Sequence, residues 1–361
     1  NDANNALVGP GLSMVTLYYL RRYIRFMQSL LSEESAPVSL TDLVSDWVGR
    51  SSEILQDAVR LLKGGRVGPT ETFALLEKLC RASDRYREAV FEAGALGSQT
   101  PLAIERISAL LSSALVVVDH TMSANRGDQG LYHAYNLLTL EDESLGVRHL
   151  YPMLEGQVAA LSSGGITPKD GIQLLQALYD SEVYRPDQRT FMLYPDRKLP
   201  GFLAKNQIDE NRANAIPLLG KLLEAGDDSI IVRDAEGRLR FNAELSNMGM
   251  LDAALDSQAD LYGDDVKADA AGIRSLYEAV FRHQEFTGRS GGMFGFEGLG
   301  CVYWHMVSKL LLAVQELCFS ALDANDRGAF HELGALYYRV REGIGFNKTP
   351  VEYGAFPTAP Y

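Results

Sequence analysis

An all-α fold, an (α/α) toroid of helical hairpins with one small β-hairpin, is what this sequence predicts. Three observations point there. Apolar residues recur at helical spacing through most of the 361 residues. Capping and stop signals divide that pattern into about eleven runs of helix length. The segments that break the pattern are few and long: 123–138, 182–206, 285–300 and 343–361.

In order, Met14, Leu17, Tyr18, Tyr19, Ile24, Met27, Leu30 and Leu31 mark a helix from Leu12 to Leu31. Ser39 reads as the cap of a second helix, Leu40–Leu62, which Gly64-Gly65 stops. Pro69 and Thr70 open a third, to Ala95, and Pro101 opens a fourth, Leu102–Met122. The fourth is apolar nearly all round, which predicts a central helix. Helices follow over Val147–Leu161 and over Lys169–Ser181, the latter after Thr167 with Asp170 in a loose capping box. Three prolines exclude a regular element through 182–206. Beyond it come a helix, Ile216–Ala225, and a hairpin, Ser229–Val232 with Arg238–Phe241 around RDAEG. Helices at Asn247–Leu261, Val266–Arg282, after the glycine-rich stretch to Leu322, and Arg327–Arg341 complete the set.

Composition excludes several classes. The net charge of −13 argues against a nucleic-acid partner, which calls for a basic face. No uninterrupted run of about 18 apolar residues exists, so no membrane partner is expected. Cys80, Cys301 and Cys318 form neither a disulfide framework nor a zinc pattern. They fit a reducing, cytoplasmic setting, and no signal peptide is expected from the opening NDANNALVGPG. No metal site, phosphate-binding glycine loop or nucleophile elbow is visible.

Two predicted helices separate the first irregular stretch from the second, and two separate the third from the fourth. An antiparallel helix pair returns the chain to the end it left, so each pair of stretches is expected at one mouth. Loops of that length in a compact body commonly serve a site. They mix aromatics, amides, acids and arginines, a combination suited to sugar rings and hydroxyls.

Five phrases carry a resemblance: DHTMSANRGDQGLYHAYNLL, YPMLEGQVAALSSGG, YRPDQRTFMLYPDRKLPGF, FTGRSGGMFGFEGLGCVYWHMVSKLLLAVQE and GIGFNKTPVEYGAFPTAPY. They resemble a family of long, mostly uncharacterised bacterial proteins, some labelled cellobiose-phosphorylase-like or glycoside-hydrolase-like. The resemblance runs over about residues 101–361, so 1–100 stands as a separate N-terminal helical segment. Family members commonly have a tyrosine where Phe296 stands and an aspartate where Ala359 stands.

Glu297 is the candidate general acid, a lone carboxyl among six glycines between Gly288 and Gly300 and beside Phe294, Phe296 and Trp304. Burial there would raise its pKa. Asp187 is its candidate partner carboxylate; the alternative is a salt bridge to Arg185 or Arg189. Arg185, Arg189, Arg197 and Arg289 could clamp an anion. Arg126, Tyr132, His133 and Asn136 from the first stretch are expected to contact substrate, as are Gln157, Gln188, Tyr194, Trp304 and His305. The expected partner is an oligosaccharide or sugar phosphate. No cofactor is expected, with inorganic phosphate as co-substrate if the reaction is phosphorolytic. The chemistry is cleavage or phosphorolysis of a glycosidic bond. Two alternatives stand beside it: a non-catalytic saccharide-binding scaffold, and a polysaccharide lyase using Tyr132 or Tyr194 with His133.

Overall fold

The computed structural model describes residues 11–94, 98–195, 200–283, 304–344 and residue 348. The described chain is mostly helical, with sheets of two or three strands. It divides into two compact units: Asn1–Asp196 with Leu299–Tyr361, and Arg197–Gly298.

In the first unit, β1 (Gly11–Ser13) leads into α1 (Met14–Leu31), whose N-cap Ser13 accepts from the Thr16 N–H at 3.2 Å. The next cap is Thr41, not Ser39, because Ser39 lies in β2 (Val38–Thr41). That strand pairs antiparallel with β3 (Gln99–Leu102). Between them run α2 (Asp42–Lys63) and α3 (Pro69–Ala93). The fourth helix, α4 (Ile104–Ala124), packs on α1 and α2.

The expectation that α4 is central is corrected: only Ile104, Val118 and Met122 are buried along it. The helix apolar all round that is buried is the short α5 (Leu154–Leu161), every residue of which is buried except Glu155. By length and composition α4 and α12 (Trp304–Asp323) could each cross a membrane; α12 has a buried face that accounts for much of its apolar character.

A second correction concerns the helix expected over Val147–Leu161. Its first part is strand β5 (Ser144–His149), paired with β4 (Tyr135–Glu141) and through it with β1. Pro152 separates strand from helix, since it would remove a backbone donor and clash with the preceding turn. Asp142, with φ 40°, closes the tight turn between the strands.

α6 (Pro168–Tyr179) follows the cap at Thr167, whose Oγ1 accepts from the Asp170 N–H at 3.1 Å. Next come the two-residue strands β6 (Tyr184–Arg185) and β7 (Thr190–Phe191), paired as a small hairpin inside the stretch expected to be irregular. α12 packs on α5, α6 and α13 (Arg327–Ile344), and α13 packs on α6 and β7.

Burying Leu154, Val158 and Leu161 of α5 stabilises the unit by about 1.5–3 kcal/mol each relative to exposure. The C-terminal carbonyls of this helix region are held by α1: Arg22 Nη1 donates to Ser162 O and Arg21 Nη1 to Ser163 O, both at 3.1 Å.

The second unit is built from the short helices α7 (Phe202–Lys205) and α8 (Glu210–Asn214), then α9 (Pro217–Ala225). The expected hairpin follows as β8 (Ile231–Arg233) and β9 (Leu239–Phe241), before α10 (Met248–Ser257) and α11 (Ala259–Phe281). Leu218, Leu222, Ile231, Phe241, Leu255, Ile273 and Tyr277 fill its core. Asn206 is 1% exposed and is bonded to Phe241 twice, donating to its carbonyl at 2.8 Å and accepting its N–H at 2.9 Å. Arg240, also buried, donates to Asp234 at 2.6 Å and to the Asn206 carbonyl at 2.9 Å.

Candidate functional site

The first turn of α5 organises one end of the first unit. Leu154 N–H donates to Leu193 O at 2.8 Å, which ties the 182–195 segment to the helix. Glu155 accepts the Tyr135 hydroxyl at 2.7 Å. Gln157 bonds both backbone groups of Tyr132. Gly156 admits the same loop closely: a Cβ there would meet Ala134 N and Tyr132 O at 3.0 Å. The first two irregular stretches therefore meet at one helix end, as the parity of the helices predicts.

The fourth stretch reaches the second, while 285–300 lies outside the described residues. Lys348 donates from Nζ to Gln188 O and lies 5.6 Å from the ring centroid of Trp304. Arg189, with φ 51°, pairs with Glu342 at 2.8 Å, and its carbonyl is packed against Gly343 of α13.

The site residues expected from sequence take varied roles. Arg126 is exposed and reaches within 6.0 Å of the Tyr132 ring centroid, while Tyr132 is buried edge-on against Tyr18 at 5.9 Å. Burial pushes the Tyr132 hydroxyl above its ordinary pKa; nearby Arg126 opposes the shift and Asp170 adds to it. His133 is half-buried, bonds Leu150 O through Nδ1 at 2.8 Å, and stacks on His149 at 4.3 Å. A carbonyl only accepts, so Nδ1 of His133 carries the proton. Burial lowers the His133 pKa, the Leu150 bond resists that, and His149 lowers it further.

Asn136 is 1% exposed and spans Asn125 and His149 at 2.6 and 2.9 Å. Gln157 is fully buried; its amide is spent on Tyr132 and on Met153 O at 2.9 Å. These two amides hold the loop in shape. Asp187 is exposed and held by a two-point bond from Arg185, 2.8 and 2.6 Å, which keeps its carboxyl below the usual carboxylate range. Tyr194 is buried and meets Tyr151 edge-on at 6.5 Å. His305 is exposed near the start of α12. Glu297, Arg197 and Arg289 lie outside the described residues.

Sequence reasoning passed over Arg339, Tyr179 and Thr190. Arg339 of α13 stacks on Tyr179, its Cζ 3.6 Å from the ring centroid. Tyr179 also meets Tyr184 and Phe191, each at 4.9 Å. The signal was available, since Arg339, Glu342 and Gly343 fall on one face of a helix at spacings of three and four. Among the described residues, no group of three or more His, Cys, Asp or Glu could hold a metal ion.

Residues 199–284 match the family GH149 phosphorylase insertion domain 2. No curated protein matches the chain. The matched segment falls within the second compact unit, Arg197–Gly298, so this unit carries a glycoside-hydrolase/phosphorylase-like family resemblance.

Proposed function

We propose that the chain belongs to a carbohydrate-active enzyme that cleaves or phosphorolyses a glycosidic bond, with the loop-bearing end of the first unit as its substrate face. One observation carries the reading. The segment that matches a phosphorylase insertion domain coincides with a compact unit interrupting another, and the chain on either side of it packs together, α12 and α13 on α5 and α6. The (α/α) toroid expected from sequence is part of the proposal.

In this reading Glu297 donates the proton to the leaving oxygen. Asp187, which the bond from Arg185 favours in the ionised form, stands as the partner carboxylate. In the phosphorolytic form of the reading, phosphate attacks the anomeric carbon directly, in place of an activated water. The ligands are an oligosaccharide and phosphate or a sugar phosphate, and no organic cofactor is involved.

The test is a screen of oligosaccharides with phosphate, and of sugar 1-phosphates with acceptor sugars, for wild type and Glu297→Gln. The reading expects turnover by wild type and its loss in the variant at an unchanged melting temperature. Equal turnover in both would remove Glu297 from the chemistry, and no turnover on any glycan would overturn the reading.

A further inference from the structure

Two histidines outside the proposed proton transfer meet at the end of the three-stranded sheet in the first unit. His149 closes β5 opposite Asn136 of β4, and His133 lies in the loop that leads into β4. Their rings are stacked, 7° from parallel, with centroids 4.3 Å apart. A chain of hydrogen bonds fixes both tautomers. Asn125 Nδ2 donates to Thr121 O at 2.8 Å, which turns its Oδ1 to Asn136. Asn136 Nδ2 donates to that oxygen at 2.6 Å, which leaves its own Oδ1 for His149 at 2.9 Å. Nδ1 of His149 therefore carries the proton, as Nδ1 of His133 does against Leu150 O. An added proton goes to Nε2 on either ring.

Nε2 of His133 has no hydrogen-bond partner among the described residues, and Gly127 packs against it: a Cβ there would stand 3.2 Å away. One added proton charges one ring. A second puts two like charges face to face where His133 is half-buried and water screens them less than at an open surface. Neighbouring charges do not offset that repulsion. Asp119 of α4 is paired with Arg21 of α1 at 2.5 Å. Among the described residues His120 of α4, Arg126 and Asp128 of the loop and Arg148 of β5 make no ion pair with either ring, nor does any acid of α3, the helix packed on β5. Burial lowers the His133 pKa and His149 lowers it further. Below the ordinary histidine value an opened loop binds the proton that the closed loop resists, so acid favours opening.

We propose that the His133–His149 stack is an acid-sensitive latch, which pins the 125–134 loop to the end of the β4–β5 ladder until a second added proton parts the rings. The bonds that give way are those beside the rings: His133 N–H to Asn125 O at 3.0 Å, and Leu150 N–H to Tyr135 O at 3.2 Å. Gln157 keeps both its bonds to Tyr132, so α5 stays in place. The loop carries Arg126, so acid loosens the proposed substrate face. That consequence rests on the enzymatic reading above; the latch itself does not.

NMR of the histidine rings between about pH 8 and pH 5, with amide hydrogen exchange over the same range, tests the latch on the full chain. Wild type should titrate the two rings in separate steps. Over the second step the His133 and Leu150 amides should lose protection by about tenfold or more, since like charges this close repel by more than a factor of ten represents. The Val158 amide, inside α5, should keep its protection. His149→Gln keeps a donor for Asn136 without a titrating ring, and His149→Phe keeps a stacked ring without one. In both variants the His133 midpoint should rise and the two amides should stay protected. A His133 midpoint unchanged in both variants, or protection lost equally in all three proteins, would overturn the latch. Loss at Val158 together with the other two would mean acid unfolding of the whole unit and overturn it as well. None of these readouts involves glycan turnover, so the latch and the enzymatic reading can fail separately.

Discussion

Gln157 holds Tyr132 by both of its backbone groups: the Tyr132 N–H donates to Oε1 at 2.8 Å, and Nε2 donates to the Tyr132 carbonyl at 2.6 Å. The side chain mimics one rung of a β-ladder and fixes where the 125–134 loop crosses α5. Gln157→Leu leaves two buried backbone groups orphaned, at about 1–3 kcal/mol each. Urea unfolding should show that loss of stability. A midpoint within error of wild type would contradict the clamp.

Gly343 lets the Arg189 carbonyl rest on α13. Gly343→Ala should destabilise by about 1–3 kcal/mol through overpacking. Gly334 on the same helix has open space where a Cβ would stand, so Gly334→Ala should stabilise by about 1 kcal/mol. Melting temperatures moving in opposite directions would bear this out; two shifts of the same sign would not.

His133 supplies a pH dependence of definite sign. Its folded pKa lies below the unfolded value near 6.5, chiefly through burial. Below that unfolded value the unfolded chain binds a proton that the folded chain resists, so stability present above about pH 6.5 declines as pH falls toward the folded pKa. His133→Gln should flatten that part of the stability–pH curve. An unchanged slope between wild type and variant would exclude His133 as its source.

In the second unit, Arg240 joins the hairpin to α7 and is paired to Asp234. Arg240→Ala leaves the buried Asn206 carbonyl without this donor, at about 1–3 kcal/mol. Asp234 keeps the backbone N–H bonds of Glu236 and Arg238, so Arg240→Ala should cost more than Asp234→Asn. Equal losses in the two variants would contradict the role given to Arg240.

Much of the helical layout was legible because caps and stops act locally: Thr167, Gly64, Pro69 and the RDAEG turn can each be located from a few neighbours. What sequence could not settle depended on distant partners. Ser39 looked like a cap until β3, about sixty residues on, paired with its strand. The run from Val147 looked helical because Val147, Leu150 and Leu154 fall at helical spacing across the β5–α5 join, and only Pro152 hinted at it. α4 looked central because period alone does not say which sides other helices cover. Within the site, the Arg185–Asp187 pair was among the readings the sequence left open. The spent amides of Asn136 and Gln157 were not foreseen, because polarity in a loop does not reveal whether a side chain faces a ligand or its own backbone.

The central proposal is the phosphorolytic form of the reading, in which the chain belongs to an enzyme that transfers a glycosyl group to phosphate. Phosphorus NMR of the protein incubated with oligosaccharides and inorganic phosphate tests it most directly. The account predicts a new sugar 1-phosphate resonance that grows as inorganic phosphate is consumed. Reducing sugar released at the same rate with and without phosphate, and no new resonance, would contradict it.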